Sequence, residues 1–451
     1  MSISAVLIAN RGEIAVRIIR SCEALGVRTV QVYSDADVDS LAVKLADKAV
    51  HIGASPATKS YLDQQKIIDV ALAEGVDAIH PGYGFLAENP DFADAVVSAG
   101  LTFIGPSASS IRVLGNKVSA RALVQSIGVP TAPGSSSIIK SVEEAVELSE
   151  KTGYPLMLKA SAGGGGRGIR VINDVLELRS MYPQASAEAK AAFGDGSLFL
   201  EKFIAEARHI EVQILGDGAR CVHLGERDCS LQRRRQKVWE EAPSSISPIV
   251  RDLLCQQAIK ICEAASYEGA GTVEFLYDTG SEQHYFLEVN TRIQVEHPVS
   301  EMVTGIDIVK EMILIAGGES LAYEQADIFI RGHAIECRIN AEDPAKDFLP
   351  WPGVIESLSI PEGEGIRFDS MLHEGYVVPP FYDSLLGKLI VWAPTRGECL
   401  SKLGDALMAL KLDGIPTTTS LHRALVNDSH VLSGDFHIGF LEEWLSRQYP
   451  S

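Results

Sequence analysis

The sequence predicts an α/β protein whose N-terminal part is a parallel sheet covered by helices on both faces. Three observations carry this expectation. Short apolar runs alternate with helix-periodic segments through the first 110 or so residues, and strand–helix alternation builds parallel sheets. Polar loops follow those strands, where open α/β sheets place ligands. The chain has 451 residues, 46% hydrophobic and 22% charged, the composition of a soluble globular enzyme with two or three domains.

The elements follow in order. An apolar run over 4–10 gives way at Asn10-Arg11-Gly12-Glu13 to a helical pattern. Its apolar positions are Ile14, Val16, Ile18, Ile19, Cys22 and Leu25, with Gly26 as the cap. Val27 to Tyr33 is the next strand, then come helix 62–74, strand Asp77 to His80, helix 90–99 and strand Leu101 to Ile104. His80-Pro81-Gly82-Tyr83-Gly84-Phe85 is the most unusual of the strand-end loops. The turn after the first strand has a single glycine, so a dinucleotide fingerprint is absent there. Helices near 107–115 and 118–127 lead to a Pro/Gly cluster at 128–134, read as a hinge into a smaller unit.

The bulk charge narrows the function. Forty basic against 60 acidic residues give a net charge of -20, which argues against a nucleic-acid or anionic-membrane surface. Seven dispersed cysteines without close pairs read as reduced thiols in a cytoplasmic setting. No signal peptide precedes the first strand, and no apolar run approaches the roughly 20 residues that span a bilayer.

Inside the smaller unit, Tyr154 to Lys159 is strand-like and leads into Ser161-Ala162-Gly163-Gly164-Gly165-Gly166-Arg167-Gly168. Gly163, Gly165 and Gly168 satisfy G-x-G-x-x-G, but Ile169 to Ile172 then alternates like a strand where the fingerprint needs a helix. No Lys-Ser or Lys-Thr follows, which excludes a Walker A loop. The surviving reading is a glycine-rich hairpin tip over phosphates, with Lys159 as a point charge on the entering strand. A flexible surface loop is the plainer alternative. Arg208 to Leu215 alternates polar with apolar and is expected to be a strand with His209, Glu211 and Gln213 on a wet face. Cys229 to Lys237 is the one dense basic stretch, readable as a solvated face or an anion pocket.

Gly271 to Tyr277 and His284 to Val289 form a hairpin around Asp278-Thr279-Gly280-Ser281. A turn centred on Ser281 pairs Leu276 with Phe286, Phe275 with Leu287 and Glu274 with Glu288. Opposed carboxylates repel at about 4.5–5.5 Å and call for a cation, with Mg²⁺ or Mn²⁺ favoured by oxygen ligands. Asn290 adds an oxygen on the same face. The stretch Glu288 to Glu296, E-V-N-T-R-I-Q-V-E, concentrates charge where stability alone gives no reason for it. A metal clamp, phosphate-covering glycines and a strand lysine together specify an ATP site for phosphoryl transfer.

These residues resemble the biotin carboxylase family, the ATP-grasp subunit of biotin-dependent carboxylases. The match runs from Ile8-Ala9-Asn10-Arg11-Gly12-Glu13 through the Tyr83 loop, the glycine run, Glu288 to Glu296 with His297-Pro298, and Arg331 to Arg338. It ends in Tyr382-Asp383-Ser384 and Gly387-Lys388, so it covers essentially the whole chain. The resemblance implies an ATP-grasp fold with an N-terminal doubly wound domain (1–113), an ATP-grasp domain (114–330) carrying a mobile glycine-rich lid (about 131–203), and a mixed C-terminal domain (331–451). It also implies a ligase that uses ATP, two Mg²⁺ or Mn²⁺ ions and bicarbonate to carboxylate biotin through carboxyphosphate.

The site roles are likewise implied by the resemblance. Lys117, Lys159, His209 and Gln232 would contact ATP under Gly164, Gly165 and Gly166, with Glu201 and Lys202 where the family binds adenine. Glu274, Glu288 and Asn290 would hold the metals. Lys237, Arg292, Gln294 and Val295 would hold bicarbonate, Glu296 would be its base, Arg338 would stabilise the biotin enolate, and Tyr83 would flank the biotin ring. Arg292 and Glu296, four residues apart, can bracket a small anion, and a guanidinium suits a planar oxyanion. Arg235 stands where the family has histidine, and Ala162 replaces a glycine of the lid.

No lysine lies between two methionines, so the biotin carboxyl carrier protein and the carboxyltransferase are expected as separate chains, with the chain itself a cytoplasmic homodimer. The expected setting is acetyl-CoA carboxylase in fatty acid biosynthesis. The alternatives are a two-subunit pyruvate carboxylase, another ATP-grasp ligase with a different acceptor, or a non-catalytic protein on this scaffold.

Overall fold

The computed structural model describes residues 3–135, 137–161 and 168–448. Ala162, Gly163, Gly164, Gly165 and Gly166 therefore lie outside the described residues. The N-terminal sheet comprises β1 (Ala5–Ile8), β2 (Arg28–Ser34), β3 (Lys48–Gly53), β4 (Ala78–His80) and β5 (Thr102–Phe103), all parallel in the order β3-β2-β1-β4-β5. Val6 and Ile8 of β1 pack into one apolar cluster, Ala5 and Leu7 into another, so the sheet is buried on both faces as the unbroken apolar run requires.

After β3 the chain crosses to the other side of β1, and the crevice beyond the ends of β1 and β4 is the topological switch point of the sheet. Asn10 Nδ2 donates there to the carbonyls of Pro81, at 2.6 Å, and Tyr83, at 2.7 Å. Gly82 makes this clasp possible: its φ is +62°, and a Cβ would lie 2.8 Å from Asn10 Nδ2. The helix Gly12–Leu25 starts in the same crevice and ends on Gly26 in the left-handed region.

β6 (Leu156–Ala160), β7 (Ile169–Ile172) and β8 (Leu198–Lys202) form a small antiparallel sheet in the order β7-β6-β8. Lys159 pairs with Ile169, so the glycine run connects two antiparallel strands. The largest sheet has eight strands. They are β9 (Ala207–Asp217), β10 (Cys221–Arg233), β11 (Gln236–Ala242), β12 (Glu268–Asp278), β13 (Gln283–Asn290), β14 (His333–Asn340), β15 (Ile366–Ser370) and β16 (Leu385–Ala393), ordered β13-β12-β9-β10-β11-β14-β16-β15. Among the described residues no helix is long and apolar enough to cross a membrane, and all seven cysteines are buried and free.

Two expectations are corrected here. The polar face of β9 is not wet: Glu211 and Gln213 are fully buried and His209 is 6% exposed. Arg227 on β10 supplies the compensation, donating to Glu211 Oε1 at 2.6 Å and Gln213 Oε1 at 2.6 Å, so the alternation marks a buried ionic network. The β12–β13 hairpin pairs Phe275 with Phe286 and Leu276 with Tyr285, one residue off the symmetric register near the turn. A β-bulge between Glu274 and Phe275 absorbs the extra residue and restores the pairing of Glu274 with Glu288.

The C-terminal part is tied to the large sheet by Glu241 of β11. Its carboxylate accepts from Trp239 Nε1 at 3.0 Å and Arg396 Nε at 2.7 Å, and lies 3.0 Å from His333 Nε2. Burial opposes its ionisation, but His333 and Arg396 hold the carboxyl at about 2, below its ordinary 4.5. A depressed carboxyl stabilises the fold above its unfolded value, and that stability is lost as pH falls through the folded one. The contribution is about 3 kcal/mol at neutral pH. Urea unfolding of Glu241→Gln and the unchanged chain should therefore differ most near neutrality. The gap should narrow below about pH 4.5, and a gap independent of pH contradicts this account.

Candidate active site

One cleft of about 1600 Å³ collects most of the residues singled out from the sequence. Tyr83, Lys117, Lys159, His209, Gln232, Lys237, Glu274, Glu288, Asn290, Arg292, Gln294, Val295, Glu296 and Arg338 all line it. They come from the loop after β4, the start of the helix Lys117–Ser126, β6, the strands β9 to β14 of the large sheet, and the irregular segment 291–296.

The carboxylates at its centre occupy contrasting environments. Glu274 accepts from Asn290 Nδ2 at 2.8 Å, Gln294 Nε2 at 3.0 Å and Lys237 Nζ at 3.1 Å, and stands 3.1 Å from His209 Nε2. Burial disfavours its charge, but Lys237 and His209 hold the carboxyl well below the usual range. Across the hairpin, Glu288 has Lys117 Nζ only at 3.9 Å. Burial and the charge of Glu274 push its carboxyl up, with Lys117 opposing. The under-compensated Glu288, opposite Glu274 and two residues before the Asn290 amide, is an oxygen donor set suited to a hard divalent cation.

Two other groups have their potential ligand atoms within 4.8 Å of one another inside each group: His209, Glu211 and Glu274, and Glu211, Cys229 and Glu296. Lys237 already fills the space between them. Its Nζ is 2.5 Å from Glu211 Oε2, 3.1 Å from Glu274 Oε1 and 2.6 Å from Glu296 Oε1. Burial also pushes the Cys229 thiol well above its ordinary range, aided by Glu211, so it offers no thiolate. These groups are the walls of a lysine socket.

Glu296 is held from both sides, by Lys237 and by Arg338 Nη2 at 2.9 Å from Oε2. Burial works against its charge, yet Lys237, Arg338 and Arg227 hold it well below the usual carboxyl range. Arg338 Nε donates as well to Glu240 Oε1 at 2.7 Å. Burial pushes Glu240 up to about 7 even with Arg338 beside it.

Other site residues are held by partners of their own. Arg292 Nε donates to Glu88 Oε2 at 2.9 Å and its Nη2 to Asn290 Oδ1 at 3.2 Å. Residues 291–296 are irregular, and Arg292 and Glu296 both line the cleft. Glu88 was missed because it follows β4, 204 residues from its partner. Glu201 and Lys202 stand off the cleft lining. Glu201 is taken by Arg121 Nη1 at 2.7 Å and by Lys159, and the Lys202 ammonium donates to the carbonyls of Gly153 and Tyr154.

The basic stretch is divided between two uses. Arg233 and Arg234 pair with Asp347, and Gln232, Arg233, Arg235 and Lys237 line the cleft. Gln232 Nε2 lies 2.8 Å from His209 Nδ1. Arg234 and Arg235 make the tight β10–β11 turn at φ +47° and +66°, a conformation costly for residues with a Cβ.

Family comparisons agree with this architecture along the whole chain. Residues 2–111 match the biotin carboxylase N-terminal domain, 116–324 the ATP-binding domain of the carbamoyl-phosphate synthase L chain, and 336–443 the biotin carboxylase C-terminal domain. Biotin carboxylase of Pseudomonas aeruginosa is 52% identical over 98% of both chains. Biotin carboxylase 1 of Bacillus subtilis is 49% identical over 98% of this chain and 99% of its own. Among solved structures, the biotin carboxylase domain of Hydrogenobacter thermophilus 2-oxoglutarate carboxylase, a dimer in complex with MgADP, ADP and bicarbonate, superposes with a TM-score of 0.95. It is 48% identical over 99% of this chain and 98% of that one. The Campylobacter jejuni biotin carboxylase–β,γ-ATP complex also gives 0.95, at 44% identity over 98% and 99%.

Proposed function

The chain belongs to the biotin carboxylase family, and from that premise we propose that it carries out the first half-reaction of an acyl-CoA carboxylase, with acetyl-CoA carboxylase of fatty acid biosynthesis as its setting. Biotin would arrive on a separate carrier protein, carboxyltransferase subunits would consume the product, and the chain would work as a cytoplasmic homodimer. A two-subunit pyruvate carboxylase is the second reading. The biotin carboxylase subunit of a pyruvate carboxylase is 48% identical over 99% of both chains, about as similar as the relatives above. The observation that carries the chemistry is Glu296 clamped between Lys237 and Arg338, beside the Glu274–Glu288 pair and in one cleft with Lys159.

In this proposal Lys117, Lys159, His209 and Gln232 bind ATP, and Glu201 holds Lys159 in place, with Lys202 beside it on β8. Gly164, Gly165 and Gly166 cover the phosphates. Glu274, Glu288 and Asn290 hold Mg²⁺ or Mn²⁺, which would neutralise charge on the transferring phosphoryl group. Arg292, fixed by Glu88, together with Lys237, Gln294 and the Val295 backbone, orients bicarbonate for attack.

The state of Glu296 fits a base held in reserve. As found, its two ion pairs keep it ionised and weakly basic. An anion that draws Lys237 to itself loosens the clamp and gives burial more weight, and burial raises the proton affinity of the carboxylate. Basicity thus develops when bicarbonate is in place. Arg338 then has a free face for the enolate oxygen of biotin, and Tyr83 forms one wall of that acceptor region.

Phosphate release from ATP tests the reading directly. Release should require bicarbonate and a divalent cation and should rise on addition of biotin. Turnover indifferent to biotin overturns the biotin reading and points to another acceptor.

A further inference from the structure

Beneath the cleft lies a buried path that none of the roles above uses. Lys388 of β16 is fully buried and stands directly opposite Arg338 of β14, on the same face of the sheet. Two opposed cations repel unless each is compensated separately. Arg338 takes Glu240 and Glu296, whereas Lys388 turns the other way, to Glu13 Oε1 at 3.1 Å. The same ammonium donates to the Val295 carbonyl at 2.9 Å. Glu13, 3% exposed at the start of the helix Gly12–Leu25, accepts on Oε1 from the Tyr83 hydroxyl.

A continuous chain of bonds therefore runs from the Tyr83 hydroxyl through Glu13 and Lys388 to the Val295 carbonyl. The Val295 carbonyl belongs to the peptide unit that carries the Glu296 nitrogen, so holding it fixes the backbone of the base. Tyr83 is held at its backbone too, by Asn10. The path thus joins an element of the N-terminal domain to the irregular segment 291–296, which has no strand or helix ladder of its own. Burying a lysine is costly, and an apolar residue would fill the space at less cost if packing were the whole requirement.

Resting on the reading of the cleft given above, we propose that Glu13 and Lys388 are positioning residues that couple the acceptor wall at Tyr83 to the Val295–Glu296 peptide, so that the acceptor and bicarbonate subsites are set in one geometry. Neither residue lines the main cleft, so both act through others.

The test uses steady-state phosphate release with free biotin as acceptor, varying ATP, bicarbonate and biotin in turn, for the unchanged enzyme and for Tyr83→Phe, Glu13→Gln and Lys388→Met. Tyr83→Phe removes one hydroxyl and keeps the ring, so it remains informative if a charge variant fails to fold. It should raise KM for bicarbonate as well as for biotin, each by about fivefold or more, with KM for ATP within about twofold. Lys388→Met should do the same, and combining it with Tyr83→Phe should add little to either KM, because both cut one path. A Tyr83→Phe enzyme with altered KM for biotin alone overturns the coupling, as does a double variant whose effects simply multiply. An unchanged enzyme that needs neither bicarbonate nor biotin overturns the functional reading instead, and the inference with it.

Discussion

Glu296→Gln should lower kcat for biotin-stimulated phosphate release by about 10²–10⁴-fold, the range set by loss of a general base. The substitution keeps the shape of the side chain and one acceptor oxygen, turns the other into an amide donor, and removes the charge and basicity. Lys237 loses one of three carboxylates and keeps Glu211 and Glu274, while Arg338 keeps Glu240. Both cations stay compensated, so the fold should survive and the loss should fall on kcat. Measured kcat within about threefold of the unchanged enzyme would remove Glu296 from the chemistry.

Arg338→Gln should separate the two stages of the reaction. Loss of a charged donor at a developing oxyanion costs about 10²–10³-fold in turnover, and here it should fall on transfer to biotin. Bicarbonate-dependent ATP cleavage without biotin should stay within a few-fold of normal, because Arg338 touches none of the metal-clamp residues. The variant should tolerate the loss of its guanidinium. Glu240, already at about 7 beside Arg338, would take up a proton once that cation is gone and become a neutral buried acid. Equal loss in both assays would place Arg338 in the ATP half of the site.

The fold of the N-terminal sheet was legible because a parallel sheet buried on both faces leaves unbroken apolar strands separated by amphipathic helices. The hairpin that sets Glu274 against Glu288 was legible by counting from its turn, but the bulge beside Phe275 was not, since one extra residue leaves no mark in an alternating pattern. Alternation also failed to distinguish water from a buried ionic network on β9. Period two reports which residues share a face, and only the position of Arg227 on the neighbouring strand decides what that face meets. Glu88 stayed hidden for another reason, as did the pairing of Glu13 with Lys388, although both of these lie in stretches that carry the family resemblance. Each meets its partner across hundreds of residues, and a single glutamate or lysine carries no local signal of so distant a partner.

The most direct test of the account is transfer of label from ¹⁴C-bicarbonate to free biotin in the presence of ATP and Mg²⁺. The account predicts acid-labile carboxybiotin formed in step with phosphate release, and none with Glu296→Gln beyond the residual rate. Phosphate release with bicarbonate but no label on biotin would contradict it.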